Sequence, residues 1–373
     1  MDAVRGGALR VLVVLSVRLR LRRLALAIVV ACCALAPSAS ATGSPWSSIT
    51  YLANQAGEYA SQPHVIKLTS GVLLAAYRHG PGPGQLGQGY LVSRLSTNGG
   101  ATWSAEATIY SDATYNVSDV CLAQLANGNV IASFFKAVVG GGAIVNGVYT
   151  IQSANQGVTW GSPVNVPDSI FTAWQAESAP VVQLSNGNLL QPTYGNKGNA
   201  DGSHVSVSTD GGMTWPTVYA IQEADVYGLN FDEPNILLLQ SGTLLCLTRT
   251  GLAYGTVMQT STNGGATWTI WTAAENVTSG QSSPHMVQLA SGRIVVVQRD
   301  GDTNAGQASA ISYSQNNGVT WSPFVVLPGL ISGQSEYGAP VEILPGVVGA
   351  ISATYVSTTQ AIVQWTVLPE SST

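Results

Sequence analysis

The chain has 373 residues, of which 14 are Lys or Arg and 19 are Asp or Glu, so only 9% are charged while 45% are hydrophobic. That charge content is well below the quarter or so of an average soluble domain, and the apolar fraction is ample for a core, which argues against intrinsic disorder. With 41 Gly and 17 Pro and with Val, Thr, Ser, Tyr and Trp common, the composition favours many short strands and tight turns over helices.

In chain order, six of the 14 basic residues come first: Arg5, Arg10, Arg18, Arg20, Arg22 and Arg23, ahead of an apolar run from Leu24 to Ala36. The small-residue site Ala39-Ser40-Ala41 follows, so residues 1–41 read as a secretory signal. An uncleaved membrane anchor is the alternative, but the run falls short of the ~20 apolar residues of a spanning helix. Cleavage leaves residues 42–373 as one domain with eight basic and 18 acidic side chains, a net charge near −10, placed outside the cell or in a periplasm. So acidic a protein is a poor partner for nucleic acid, whose phosphates need a basic face. No later stretch is apolar enough to span a membrane. Cys121 and Cys246 lie in apolar runs and read as buried free thiols. No Cys and His spacing suits zinc, and neither a metal nor a cofactor is expected. Asn116 and Asn276 open Asn-x-Ser/Thr sequons.

Internal repetition is the strongest signal. Ser96-Thr-Asn-Gly-Gly-Ala-Thr-Trp103 recurs, with small changes, as Ser153 to Trp160, Ser208 to Trp215, Ser261 to Trp268 and Ser314 to Trp321, at spacings of 57, 55, 53 and 53 residues. Asp or Asn turns the chain with its own side chain, Gly supplies positive φ, and the closing Trp is expected to bury its ring between neighbouring sheets. A second element precedes each box, an apolar strand, a turn ending in Gly71, Gly128, Gly187, Gly242 or Gly292, and another apolar strand. A sixth copy carries Gly346 without a box after it. Six units of fifty-odd residues predict an all-β, six-bladed β-propeller. Ser48-Ile-Thr-Tyr-Leu-Ala53 is expected to add the outer strand of the last blade.

The boxes, Ser-x-Asp/Asn-x-Gly-x-Thr-Trp, resemble the Asp-box repeats of the sialidase superfamily, whose members are six-bladed propellers. The resemblance extends over nearly the whole mature chain, and four further segments carry it. Gly71-Val-Leu-Leu-Ala-Ala-Tyr-Arg78 looks like a sialidase first blade, whose Arg faces the site, and Gly187 to Tyr194 like the third. Glu233-Pro-Asn through Arg249 looks like the fourth, where the Glu supports a nucleophilic Tyr and the Arg grips the substrate carboxylate. Tyr337-Gly-Ala-Pro through Gly346 looks like the sixth, which carries that Tyr. There are also departures. Ser61-Gln62-Pro63 stands where the family has Arg-Ile-Pro, the loop from His79 to Tyr90 has no acid/base Asp, and only Arg299 is available as a third arginine. The resemblance implies an exo-acting glycoside hydrolase with a glycan substrate, working as a monomer and preferring a sialic or other acidic terminal sugar.

The residues make their own case for a site. Nine positions before each turn glycine stand Gln62, Asp119, Ser178, Glu233, Ser283 and Tyr337, and one earlier stand Ser61, Ser118, Glu177, Asp232, Ser282 and Glu336. The second strands end in Arg78, Lys136, Arg249 and Arg299, half of the eight bases left after cleavage. Inner strands converge on a propeller axis, so these rings predict acid and base gathered at one mouth. In a sialidase-like mechanism Glu233 takes the phenolic proton of Tyr337 while Arg249 and Arg299, with Arg78, neutralise a carboxylate. In an exo-arabinanase-like mechanism two of Glu177, Glu233 and Asp119 serve as nucleophile and acid/base on a neutral sugar. A non-catalytic carbohydrate-binding propeller is the third reading. Gln62, His64 and His285 are candidate sugar contacts, although a histidine satisfied within the core is the plainer reading of both rings.

Overall fold

Each repeat folds as an up-and-down sheet because its apolar runs are short and are joined by turns that only glycine closes without strain. The six turn glycines, Gly71 through Gly346, have φ between 75° and 90°, a region disfavoured by any side chain with a Cβ. The structure is a computed structural model that describes residues 48–82, 88–139, 145–196, 201–223, 229–250, 255–277, 283–299, 308–328, 335–357 and 359–369. The expected signal segment, residues 1–41, lies outside them. All regular structure among the described residues is β-strand.

Three four-stranded antiparallel sheets follow the repeats directly, from Tyr115 to Val166, from Asp232 to Ala273 and from His285 to Val326. A fourth, from Trp174 to Gln222, has its inner strand broken into Trp174–Ala176 and Val182–Gln183. The remaining sheet is eight-stranded and consists of two such units. One runs from Tyr59 to Tyr110, and the other joins Ser335–Leu344, Val347–Ser357 and Gln360–Pro369 to Ser48–Ala53. A single parallel bridge, Tyr59 to Ala361, links the two units. The strand order is therefore that of six propeller blades, numbered here from Tyr59. As the sequence suggests, Ser48–Ala53 completes the last blade by pairing antiparallel with Gln360–Pro369.

The core lies in the seams between blades. Leu74, Ala76 and Leu91 of blade 1 pack on Leu122, Ala132 and Phe134 of blade 2, all at most 1% exposed, and burying each such large side chain contributes ~1.5–3 kcal/mol. Every box tryptophan enters a different seam cluster. Trp215 and Trp321 are buried and the other three half-buried. In each box the serine Oγ accepts the N–H of the second glycine position at 2.8–3.0 Å. The Asn or Asp side chain accepts the threonine N–H at 2.8–3.0 Å. In the one box with an acid, hydrogen bonds from the Thr214 hydroxyl first, then from its N–H and from Ser208, hold the carboxyl of the exposed Asp210 down at about 2, so this acid completes a turn.

A second ring of polar contacts ties each blade to the one before it. Four residues ahead of the turn glycine, Gln124, Gln183, Gln288 and Glu342 accept the backbone N–H of Thr69, Ala126, Gln240 and Ala290 in the preceding blade, at 2.6–2.8 Å. At that position in blade 1, Lys67 Nζ donates to Ile343 O of blade 6 at 2.6 Å. Blade 4 has Leu238 there, packed into the seam with Leu190 and Val205.

Candidate functional site

The inner strands carry a bulge at the mouth end of the axis. Pairing with the second strand slips between Ser61 and His64, between Ser118 and Cys121, and between Asp232 and Asn235. Inside these slips Gln62, Asp119 and Glu233 have φ of 52°, 56° and 50°. A side chain in that region costs ~1–3 kcal/mol, and such strain gathers at sites where a side chain must be re-aimed. Blade 6 slips at the same place, between Ser335 and Gly338, and Tyr337 lies inside it. In blades 1, 2, 4 and 6 the repeat thus turns one residue out of the pleat towards the axis. Gln62, Asp119, Ser178 and Tyr337 line one small cavity with Cys121 and His285. Ser283 Oγ donates to Ser178 O at 3.0 Å between blades 5 and 3.

Glu233 and Tyr337, 104 positions apart, meet there: the Tyr337 Oη donates to Glu233 Oε1 at 2.6 Å. The other carboxylate oxygen of Glu233 lies 3.2 Å from Arg249 Nε, a charge contact without the alignment of a hydrogen bond. Arg249 Nη2 lies 3.3 Å from Asp232 Oδ2, and the Arg299 guanidinium stands 5.9 Å from the Tyr337 ring centroid. Burial above all, then the charges of Glu233 and Asp119, push the Tyr337 phenol well above 10, with Arg249 and Arg299 opposing. Burial also lifts Asp232 to about 7 against the pull of Arg249, helped by Glu233 and Asp201.

Asp119 and Glu177 form a second pair of carboxyls. Glu177 is fully buried, and its Oε2 accepts from Ser133 Oγ at 3.1 Å and from Ala179 N at 3.0 Å. Burial first, and the charge of Asp119 second, raise its carboxyl well above the ordinary range, which favours its protonated form, while Asp119 lines the cavity. The break in the blade 3 inner strand at Glu177 lets that side chain turn back towards blade 2.

His64, Cys121 and His285 place one N or S atom each within 4.8 Å of one another, all buried. The donor set does not suit a metal. Leu122 N–H points at His64 Nδ1 at 3.3 Å, which puts the lone pair on that atom and leaves the proton of the neutral ring on Nε2, the reverse of what a metal-bound Nε2 requires. Burial keeps both imidazoles uncharged: it drives His285 down to about 4, and with repulsion from His285 it lowers His64 as well. His285 lines both the small cavity and the opening at the far end of the axis, whereas His64 lines the latter.

Two members of the basic ring lie elsewhere. Arg78 is 0% exposed. Its Nε and Nη2 donate to Asn116 Oδ1 at 3.2 and 3.1 Å, and its Nη1 to Gly82 O at 2.9 Å. The guanidinium therefore ties blade 1 to blade 2 and is not presented to a ligand, contrary to the expectation from the resemblance. Lys136 Nζ turns outward to Asp112 at 2.9 Å and Tyr110 Oη at 2.7 Å, over the ring of Tyr149. Asn116 is wholly buried, so its sequon is not a surface acceptor in the folded chain. Tyr194 was not singled out by the sequence reading as a site residue. It is nonetheless buried, and its phenol is raised by burial and by the charges of Glu233, Tyr337 and Asp119. Only its place at the end of the third blade's second strand hinted at this. Ser282 and the side chain of Glu336 lie outside the described residues.

Residues 120–343 match the family of BNR repeat-like domains. No curated protein matches the sequence. Among solved structures, a Dyadobacter fermentans protein of unknown function superposes with a TM-score of 0.76 at 21% identity, covering 87% of this chain and 98% of that one. The Ruminococcus gnavus intramolecular trans-sialidase, solved with oseltamivir carboxylate, gives 0.68 at 15% identity, with 87% and 98% covered. The leech intramolecular trans-sialidase, solved with 2,7-anhydro-Neu5Ac, gives 0.69 at 15% identity, with 90% and 71% covered. At these identities the likeness establishes the fold.

Proposed function

Because the chain belongs to the BNR repeat-like family and has the sialidase type of propeller, we propose that it is a secreted, exo-acting glycoside hydrolase that removes one terminal sugar from a glycan. The observation that carries this reading is the 2.6 Å hydrogen bond from Tyr337 to Glu233, with Arg249 against the other carboxylate oxygen. In the mechanism this favours, the Tyr337 oxygen attacks the anomeric carbon as its proton passes to Glu233 Oε1. The bond to the leaving oxygen breaks, and that oxygen takes a proton relayed by Asp119 from the carboxyl of Glu177, whose protonated form burial and the charge of Asp119 favour. Water then displaces Tyr337, its proton passing back through Asp119 to Glu177 while Glu233 returns the phenolic proton to the Tyr337 oxygen.

The raised carboxyl of Glu177 favours a second reading, in which Glu233 is itself the nucleophile, Tyr337 and Arg249 hold it ionised, and Glu177 or Asp119 is the acid. Trapping with 2-fluoro glycosyl fluorides followed by peptide mass spectrometry separates the two. An adduct on Tyr337 supports the first reading and an adduct on Glu233 the second. Absence of any adduct and of hydrolysis across a glycoside panel, with sugars still bound, points instead to a carbohydrate-binding propeller.

A further inference from the structure

Resting on that reading of the site, we infer that the terminal sugar it accepts is uncharged, a neutral pentose or hexose rather than a sialic or uronic acid.

The argument is a count of cations. Eight basic residues follow position 41, and five of them are occupied away from the mouth. Lys67 closes the ring on Ile343 O, and Arg78 is sealed between blades 1 and 2 on Asn116. Arg94 holds Tyr77 and Glu106, Lys136 holds Asp112, and Arg293 lies 5.7 Å from the Tyr313 ring at a turn. Lys197 is outside the described residues. Arg249 and Arg299 are thus the cations that the described residues bring to Tyr337.

The first of these is already matched. Arg249 sits between the carboxyls of Asp232 and Glu233, at 3.3 and 3.2 Å, and Asp119 faces the same cavity as Tyr337. Ser61, neutral and buried, stands where the sialidases that the sequence resembles carry a further arginine, and its neighbour Gln62 is neutral too. A carboxylate sugar entering this mouth would meet the charges of Arg249 and Arg299 offset by those of Glu233 and Asp119, all four of which act on the Tyr337 phenol, with the carboxyl of Asp232 3.3 Å from Arg249. A planar carboxylate is usually held by bidentate guanidinium forks, and here the fork of Arg249 is already against protein carboxylates. A neutral sugar needs no such fork. Carboxylates, amides and hydroxyls such as those of Asp119, Gln62, Ser178 and Tyr194 are ordinary partners for its hydroxyls.

The test uses the full chain and two readouts. The first is kcat/KM on aryl glycosides of arabinofuranose, xylose, galactose and glucose beside those of sialic, glucuronic and galacturonic acid. The second is saturation-transfer NMR with the corresponding free sugars. The best neutral glycoside is expected to exceed every acidic one by at least a hundredfold, with saturation transferred to the neutral sugar alone. Turnover of a sialoside or uronide within tenfold of the best neutral substrate overturns the inference. So does equal or preferential saturation of an acidic sugar, or saturation of no sugar at all. If no glycoside is cleaved, the proposed hydrolysis fails while the binding arm still decides the charge class. Asp119→Asn, which removes one negative charge from the wall, is expected to shift binding towards the acidic sugars several-fold, and an unchanged ratio also counts against the inference.

Discussion

Asn116→Ala is the sharpest test of how the basic residues are used. The Asn116 Oδ1 accepts three N–H groups: Arg78 Nε at 3.2 Å, Arg78 Nη2 at 3.1 Å and Gly89 N at 2.9 Å. Both Asn116 and Arg78 are 0% exposed, so water cannot replace the lost acceptor without opening the seam between blades 1 and 2. Only Gly82 O at 2.9 Å then remains, among these acceptors, to hold a buried guanidinium. Removing a neutral acceptor from a buried charged donor costs ~1.5–3 kcal/mol, and an orphaned amide N–H adds ~1 kcal/mol or more. A loss of about 3 kcal/mol, read as a lower midpoint in urea with an unchanged slope, is therefore expected. The same logic gives Arg78→Lys a comparable loss, since one ammonium cannot span the acceptors of a planar fork, while kcat/KM of the folded fraction stays within about threefold. A variant with unaltered stability and a tenfold or larger fall in kcat/KM would mean that Arg78 acts on the ligand, and the seam reading would be wrong.

Tyr337→Phe and Glu233→Gln are each expected to lower kcat by at least ~10³-fold while the fold persists by circular dichroism. Activity at wild-type level in either variant removes the pair from the mechanism. Glu106, held down at about 2 by His79 first and then by Tyr77 and Arg94 against burial, binds fewer protons folded than unfolded. It stabilises the fold above pH ~4.5 and loses that contribution as pH falls towards ~2. Urea midpoints against pH should therefore flatten in that window for Glu106→Gln, with a loss of about 2 kcal/mol at pH 7 once solvent screening is allowed for. Asp232 has the opposite sign. Its carboxyl, raised to about 7, makes the wild type lose stability as pH rises from ~4 to ~7, and Asp232→Asn should remove that slope. Gly100→Ala forces a Cβ into the Trp365 ring at φ 90° and is expected to lower stability by at least ~3 kcal/mol, while alanine at Gly71, which meets nothing within 4 Å, costs only the backbone strain of ~1 kcal/mol. Equal losses at the two glycines would refute the packing argument.

The fold was legible because its punctuation repeats. Five boxes and six turn glycines mark every second and third strand, and even the strand from Ser48 that closes the ring could be placed. The site was legible where the repeat sets geometry. Counting back from the glycines found Gln62, Asp119, Glu233 and Tyr337, because the bulge recurs at one register. The second-strand ends misled, since strand position fixes where a backbone ends but not where a long side chain goes. Arg78 folds back onto Asn116 and Lys136 swings out to Asp112, each drawn by a partner 24 to 38 positions away that no repeat phase identifies. Tyr194 was missed for the converse reason. Nothing in its own segment carries charge, and its importance comes from residues of blades 2, 4 and 6.

The strand Ser48–Ala53 has a consequence for the order in which the molecule can form. It pairs with Gln360–Pro369, more than three hundred positions further along, whereas most other strands pair with their sequence neighbours. The first strand must therefore wait as a solitary edge until the last has been made, and unpaired edges are open to pairing with other chains. In a chain that crosses a membrane unfolded, closure of the ring belongs to the far side. A circularly permuted chain, opened between blades so that all four strands of each blade are contiguous, should fold faster and aggregate less, at the same final stability.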